Sequence, residues 1–206
     1  MPARPPPLDE TLKILGELGL TSAEINAGGF VPAPHLPIDD ILASPGAREE
    51  YLGRFTQAGI TLTGLNVNGN PLNPDPRVGP KHAADLHRAI DVAAALGVKR
   101  IVAMSGLPAA HPGSPVANWI VNPWDSQYLD ILDYQWQKIA VPFWKDINTR
   151  AAAADVKKSA SRCTLRTSSS TRPPCNASSS RQTPPTSAPN WTPATSSGRA
   201  WTRSPA

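Results

Sequence analysis

The chain has 206 residues, enough for one domain with a tail, and a formal net charge of +4. Residues 1–158 hold all 16 acidic side chains and 14 of the 20 basic ones, whereas residues 159–206 hold six arginines and no acid. A basic surface suited to nucleic acid is therefore absent from the part patterned to fold, which argues against that partner. The start, MPARPPPLDETL, has no signal-peptide core, and no apolar run approaches the ~18 residues of a membrane span. The expectation is a cytoplasmic protein with no membrane partner. Cys163 and Cys175 match neither a zinc-binding spacing nor a disulfide framework.

The three prolines at 5–7 end any preceding structure, and Asp9 is expected to cap a helix carrying Leu12, Leu15 and Leu18 that Gly19 closes. Residues 22–27 then read as a strand, alternation placing Glu24 and Asn26 on one face with Ile25 and Ala27 on the other. Gly28 and Gly29 begin a loop. Ser44-Pro45 is a cap and first-turn pair for a helix carrying Leu52, Phe55 and Ala58, ended by Gly59. Residues 60–67 form a β-branched apolar strand that runs into the turn residues Asn68-Gly69-Asn70-Pro71. Leu86, Ile90, Ala93 and Leu96 mark one face of the next helix, which Gly97 stops, and residues 100–104 are the following strand. Strand, helix and strand make a parallel βαβ unit.

Three times an amphipathic helix is followed by a glycine and a short buried strand, the rhythm of a (β/α) barrel. After Met104 comes a long loop, 105–122, at the strand's carboxyl end, where such barrels keep their chemistry. Tyr128, Leu132, Trp136 and Ile139 share a helical face, and Pro142 is expected to restart a helix continued by Phe143, Ile147 and the alanines at 151–154. The sequence Asp155-Val156-Lys157-Lys158 stands where Gly97-Val98-Lys99-Arg100 stood one unit earlier, so a strand is due at 159. The residues predict that it fails: 159–206 hold twelve Ser, eight Thr and seven Pro, with Leu165 the sole residue among Ile, Val, Leu, Met, Phe and Tyr. Such a segment is expected to be disordered. The fold class read from the residues is α/β, an incomplete (β/α) TIM barrel of three to four βα units over 1–158, with a disordered tail over 159–206.

The stretch LTGLNVNGNPLNPDPRVGPKHAADLHRAIDVAAALGVKRIVAMSG, supported by EINAGGF and VNPWDSQYLDILDYQWQKIAVPFWKDI, resembles the sugar phosphate isomerase/epimerase family of xylose isomerase-like TIM barrels. The resemblance covers 8–157 and implies a sugar or sugar phosphate as small-molecule partner. It also implies that complete members hold a divalent metal (manganese, magnesium or zinc) on carboxylates and a histidine of their later strands. This chain matches only the second, third and fourth strands, so it has no catalytic residue and no metal ligand to assign, and is expected to be inactive. Read one frame over, codons for the tail can be chosen to spell EMHP and then LDPSHLFW, which resemble the family's next metal-binding strands. The letters forced whatever the codons are Leu from Asn190-Trp191 and Asp from Trp191-Thr192 and Trp201-Thr202. The expectation is a frameshift near Lys158, with the tail translated out of frame.

What remains of the sugar-facing wall is then Asn66 and Asn68, whose amides can both donate to and accept from hydroxyls, with Asn70 in the loop beyond. Glu24 and Asn26 are expected to face inward beside them. Ser105, at its strand's carboxyl end, and His111, in the long loop, complete the candidate substrate-binding set. The bland alternatives are a turn for Asn68-Gly69-Asn70-Pro71 and for Ser105-Gly106, solvent exposure for His82 and His87, and core packing for Trp124, Trp136 and Trp144. Two other readings compete. One is a small α/β domain whose basic disordered arm binds nucleic acid or an acidic partner; the other keeps the related barrel fold of AP endonucleases.

Overall fold

The computed structural model describes residues 5–122, 124–156 and 158–162, the last five by their backbone path. All of these belong to one compact unit. The expectations for the rest of the tail lie outside the described residues. In chain order the elements are α1 (Leu8–Glu17), β1 (Ser22–Gly29), α2 (Ile38–Ala43), α3 (Pro45–Gln57), β2 (Thr61–Asn68), α4 (Gly79–Leu96), β3 (Arg100–Met104), α5 (Ser126–Tyr134), a π-helical turn (Gln135–Ala140), α6 (Val141–Ala153) and β4 (Lys158–Arg162). The strands pair in the order β1-β2-β3-β4, all parallel. Parallel neighbours in chain order, each reached through a helical crossover, are successive βα units of an incomplete TIM-barrel type.

The repeated helix endings have a common geometry. Gly19, Gly59 and Gly97 take φ of 75°, 67° and 69°, and the next residue donates its N–H back over the last turn: Leu20 to Leu15, Ile60 to Phe55 and Val98 to Ala93, at 2.8–3.0 Å. This is a Schellman ending, in which a left-handed residue turns the chain off the helix and into the strand. The fourth unit repeats it with Asp155 (φ 55°) in the glycine position and a bond from the Val156 N–H to the Ala151 carbonyl at 2.9 Å. Lys99 holds the Asp155 carboxylate at 2.7 Å.

The core lies between the sheet and its helices. Ile25, Ala27, Leu65, Val67, Ile101 and Ala103 are buried on one sheet face in the same cluster as Tyr51 and Phe55 of α3, Leu86, Ala89, Ile90 and Ala93 of α4, and Ile147 and Ala151 of α6. Each large aliphatic side chain so buried contributes about 1.5–3 kcal/mol. The period of two that buries these residues turns their neighbours to the opposite face.

Several expectations need correction. Pro7, not Asp9, is the cap residue of α1, and no side chain caps it. Leu18 falls at the end of α1 and is 70% exposed, because the chain has already left the apolar stripe of Leu8 and Leu12. The loop after β1 contains α2, whose six residues are too few to show a helical period in sequence. Pro142 does open α6, but the chain reaches it through the π turn rather than a break. Proline has no N–H for the carbonyl four residues back, and the wider turn lies just ahead of it. The strand predicted to fail at 159 is present: β4 pairs with β3 from Arg100 opposite Lys158 to Met104 opposite Arg162. Strand pairing draws on backbone N–H and C=O groups, which a polar segment has as fully as an apolar one.

Candidate functional site

The sheet face turned away from the helices is polar. The register sets Glu24 beside Gly64 and Asn26 beside Asn66, with Val102 beyond Asn66 on β3. Glu24 Oε1 accepts a hydrogen bond from Asn66 Nδ2 at 2.6 Å. Gly64 leaves room there: a Cβ would stand 3.3 Å from Arg100 Nε and 3.7 Å from Glu24 Oε2. Among the described residues, the amide oxygens of both Asn66 and Asn68 are buried with no hydrogen-bond partner. Leaving a buried acceptor unpaired costs about 1–3 kcal/mol, so two on one face indicate groups placed for something other than packing. Asn26 shares the face, but its Nδ2 is committed to the carbonyls of Val31 and Pro32, at 3.1 and 2.9 Å, closing the loop after β1.

At the carboxyl ends of β2 and β3 the candidates serve the frame. Asn70 is buried; its Nδ2 donates to the Leu107 carbonyl, and its Oδ1 accepts from the N–H groups of Leu107 and Leu72. Its own N–H donates to His82 Nδ1 at 3.0 Å. His82, expected in solvent, is instead 5% exposed, and Phe30 packs on it edge-on with ring centroids 4.7 Å apart. Gly69 makes this possible, since a Cβ there would stand 2.8 Å from the His82 ring. His87 is half-buried rather than exposed, and its Nδ1 has no partner among the described residues. Asn70 and His82 together tie the loop after β2 to the loop after β3.

The long loop after β3 is an ordered arm. The carbonyl of Ser105 accepts from Trp144 Nε1 at 2.9 Å, Ala109 bridges antiparallel to Ala117, and the Asn118 N–H donates to the Pro108 carbonyl at 2.9 Å. His111 sits exposed on this arm, its ring bonded to the carbonyl of its neighbour Pro112. Trp119 meets Trp136 edge to face at 5.1 Å, while Trp124 is 86% exposed rather than core. Gln135, which the sequence reading passed over, is fully buried. Its Nε2 donates to the carbonyls of Ala109 and Asn118, and its Oε1 accepts from the Ile120 N–H. No sequence signal marks it, since the turn QWQKIA also carries Gln137 and Lys138.

A cavity of about 970 Å3 lies elsewhere, bounded by Pro5, Pro7, Pro32, Pro37, Tyr51 and Arg54 among others. Burial pushes the Tyr51 phenol well above its ordinary ionisation range, against a smaller opposing effect of Arg54, and its hydroxyl has no partner among the described residues. Among the described residues no three His, Cys, Asp or Glu side chains converge to hold a metal ion. Glu24 is held by an amide rather than by further carboxylates, so the polar face does not fit the oxygen cage of a divalent cation. Among the described residues no helix is long and apolar enough to cross a membrane.

The chain is 38% identical over 154 residues to YfiH of Bacillus subtilis (strain 168), an uncharacterized protein; the match covers 74% of this chain and 49% of YfiH. The chain thus spans about half the length of the curated relative it matches. No protein-family model matches it. Among solved structures it is similar to a xylose isomerase domain protein from Planctomyces limnophilus, with 14% identity, a TM-score of 0.41 and coverage of 70% of this chain and 46% of the other. It is similar to a xylose isomerase-like TIM barrel protein from Mycobacterium smegmatis, in complex with magnesium, with 18% identity, a TM-score of 0.43 and coverage of 72% and 44%. The D-psicose 3-epimerase of Clostridium cellulolyticum H10, solved with D-tagatose, gives 18% identity, a TM-score of 0.40 and the same coverages.

Proposed function

We propose that residues 8–157 are part of a sugar or sugar phosphate isomerase/epimerase barrel, and that Asn66 and Asn68 bind substrate hydroxyls. The observation that carries this reading is the pair of buried amide oxygens on the sheet face away from the helices that find no partner among the described residues. A sugar hydroxyl can donate to such an oxygen, and the amide nitrogen can donate to a second hydroxyl. Glu24 orients the first amide by accepting from its Nδ2, which turns Oδ1 outward from the carboxylate. In this reading the divalent metal of the complete family belongs to strands that the described residues do not supply. The present chain then binds sugar weakly and turns none over.

The reading includes a change of frame near Lys158, which rests on the codon-forced Leu and Asp residues within the tail. Sequencing the gene across the codons for Asp155 to Thr171 and on to its stop tests it: one base gained or lost restores EMHP and LDPSH in register. A frame confirmed as printed removes this part of the proposal and advances the basic-arm reading. The sugar-binding part is tested on the chain itself by isothermal titration with ketohexoses and their phosphates. Binding by the wild-type chain, reduced at least tenfold in Asn68→Leu, supports it; equal affinity in the two contradicts it.

A further inference from the structure

The arm over the carboxyl end of β3 is fastened at three levels. Trp144 of α6 holds the Ser105 carbonyl, Asn70 holds both backbone groups of Leu107, and Gln135 of the π turn holds Ala109, Asn118 and Ile120. The first two fasten the stem next to the sheet. Gln135 alone among these three grips both strands of the arm at once, since Ala109 lies on the outgoing strand and Asn118 and Ile120 on the returning one.

We infer that Gln135 is a positioning residue, and that the π turn serves to place its amide between the two strands so that the arm stands fixed over the carboxyl end of β3. A fully buried amide that ordered only its own helix would bond within that helix, whereas all three partners of Gln135 lie in the arm. The turn containing Gln135 has one residue more per hydrogen-bonded ring than an α-helix, which shifts the direction of the side chains that follow, and such turns concentrate at functional sites. Trp136, next in the turn, meets Trp119 of the arm edge to face, so the same turn supplies an apolar seat beside the polar clamp. Apolar contact alone would tolerate sliding. Three directional bonds to two strands do not.

The effect on ligand rests on the sugar-binding reading above; the effect on the arm does not. The decisive variant is Gln135→Met, which keeps the length and most of the volume of the side chain while removing one acceptor and both donors. Three measurements apply to the full-length chain: the exciton-coupled circular dichroism of the Trp119–Trp136 pair, identified by its loss in Trp119→Phe; hydrogen exchange of the Asn118 and Ile120 amides; and affinity for a ketohexose phosphate. The expected result is loss of the couplet, exchange faster by about tenfold or more at both amides, as a hydrogen-bond-sized loss implies, and a comparable weakening of sugar binding. Gln135→Glu, isosteric but presenting a carboxylate to two carbonyl oxygens, is expected to behave like Gln135→Met. A variant that merely disturbed packing would be rescued by either isostere. An unchanged couplet and unchanged exchange in Gln135→Met would overturn the inference. If that variant does not fold, Gln135→Asn, which withdraws the amide by one methylene, decides the same question by the same signals. If the wild-type chain binds no sugar, the functional reading fails, while the couplet and exchange still settle the role of Gln135.

Discussion

The two faces of the sheet are built from the same strands and follow opposite rules. Toward the helices stand Ile25, Leu65, Val67 and Ile101, buried and packed into one cluster with α3, α4 and α6. On the other side stand Glu24, Asn26, Asn66 and Asn68, where one amide closes a loop, one is held by a carboxylate and two amide oxygens have no partner among the described residues. The first arrangement is what stability selects. The second is poor packing, and under the proposed sugar-binding reading a hydroxyl-rich ligand supplies the missing bonds. The stability face and the proposed binding face are thus separated by a single residue step along β2, from Leu65 to Asn66 and from Val67 to Asn68.

That separation can be broken from either side. The largest effect is expected on the helix face: Ile101→Ala or Leu65→Ala should cost about 2–5 kcal/mol in chemical denaturation, through lost burial and the cavity left behind. Removing the tie between the two loops comes next. His82→Ala leaves the Asn70 N–H buried without an acceptor and should cost about 2 kcal/mol, with faster hydrogen exchange in residues 70–72 and 105–109 as its local signature. Gly97→Ala meets open space, so its cost is the left-handed backbone alone, about 1–2 kcal/mol. The smallest effect on stability is expected on the polar face. Asn68→Leu should lower the denaturation free energy by no more than about 1 kcal/mol and can raise it, since it removes a buried acceptor that is unpaired among the described residues. A large loss there would mean that Asn68 is core.

The helix-facing half of this contrast was legible in the sequence because it rests on local rules. The glycine endings, the alternation in β1 and β2 and the stripe of α4 each fall within a few residues and survive folding unchanged. The face taken by Asn66 and Asn68 was legible for the same reason, since alternation decides which face a strand residue takes. Contacts set by distant partners were not. His82 read as a surface residue because its five-residue spacing from His87 fits no shared metal face, whereas its place is fixed by Gly69, Asn70 and Phe30. Asn70 read as a ligand-binding amide, yet both ends of its side chain are engaged by backbone 2 to 37 residues away. Gln135 shows no pattern at all until the arm is folded over it. The strand at Lys158–Arg162 was missed because composition reports on side chains, while its pairing with β3 is made by the backbone.

The central claim is that the polar sheet face binds sugar through Asn66 and Asn68. The most direct measurement is an NMR titration of the isotopically labelled chain with a ketohexose phosphate, following the side-chain amide signals assigned by Asn66→Leu and Asn68→Leu. The account predicts that these two signals shift together and saturate, while those of Asn70 and Gln135, already bonded to backbone, move little. Signals of Asn66 and Asn68 that stay in place while the sugar binds elsewhere, or does not bind at all, would contradict it.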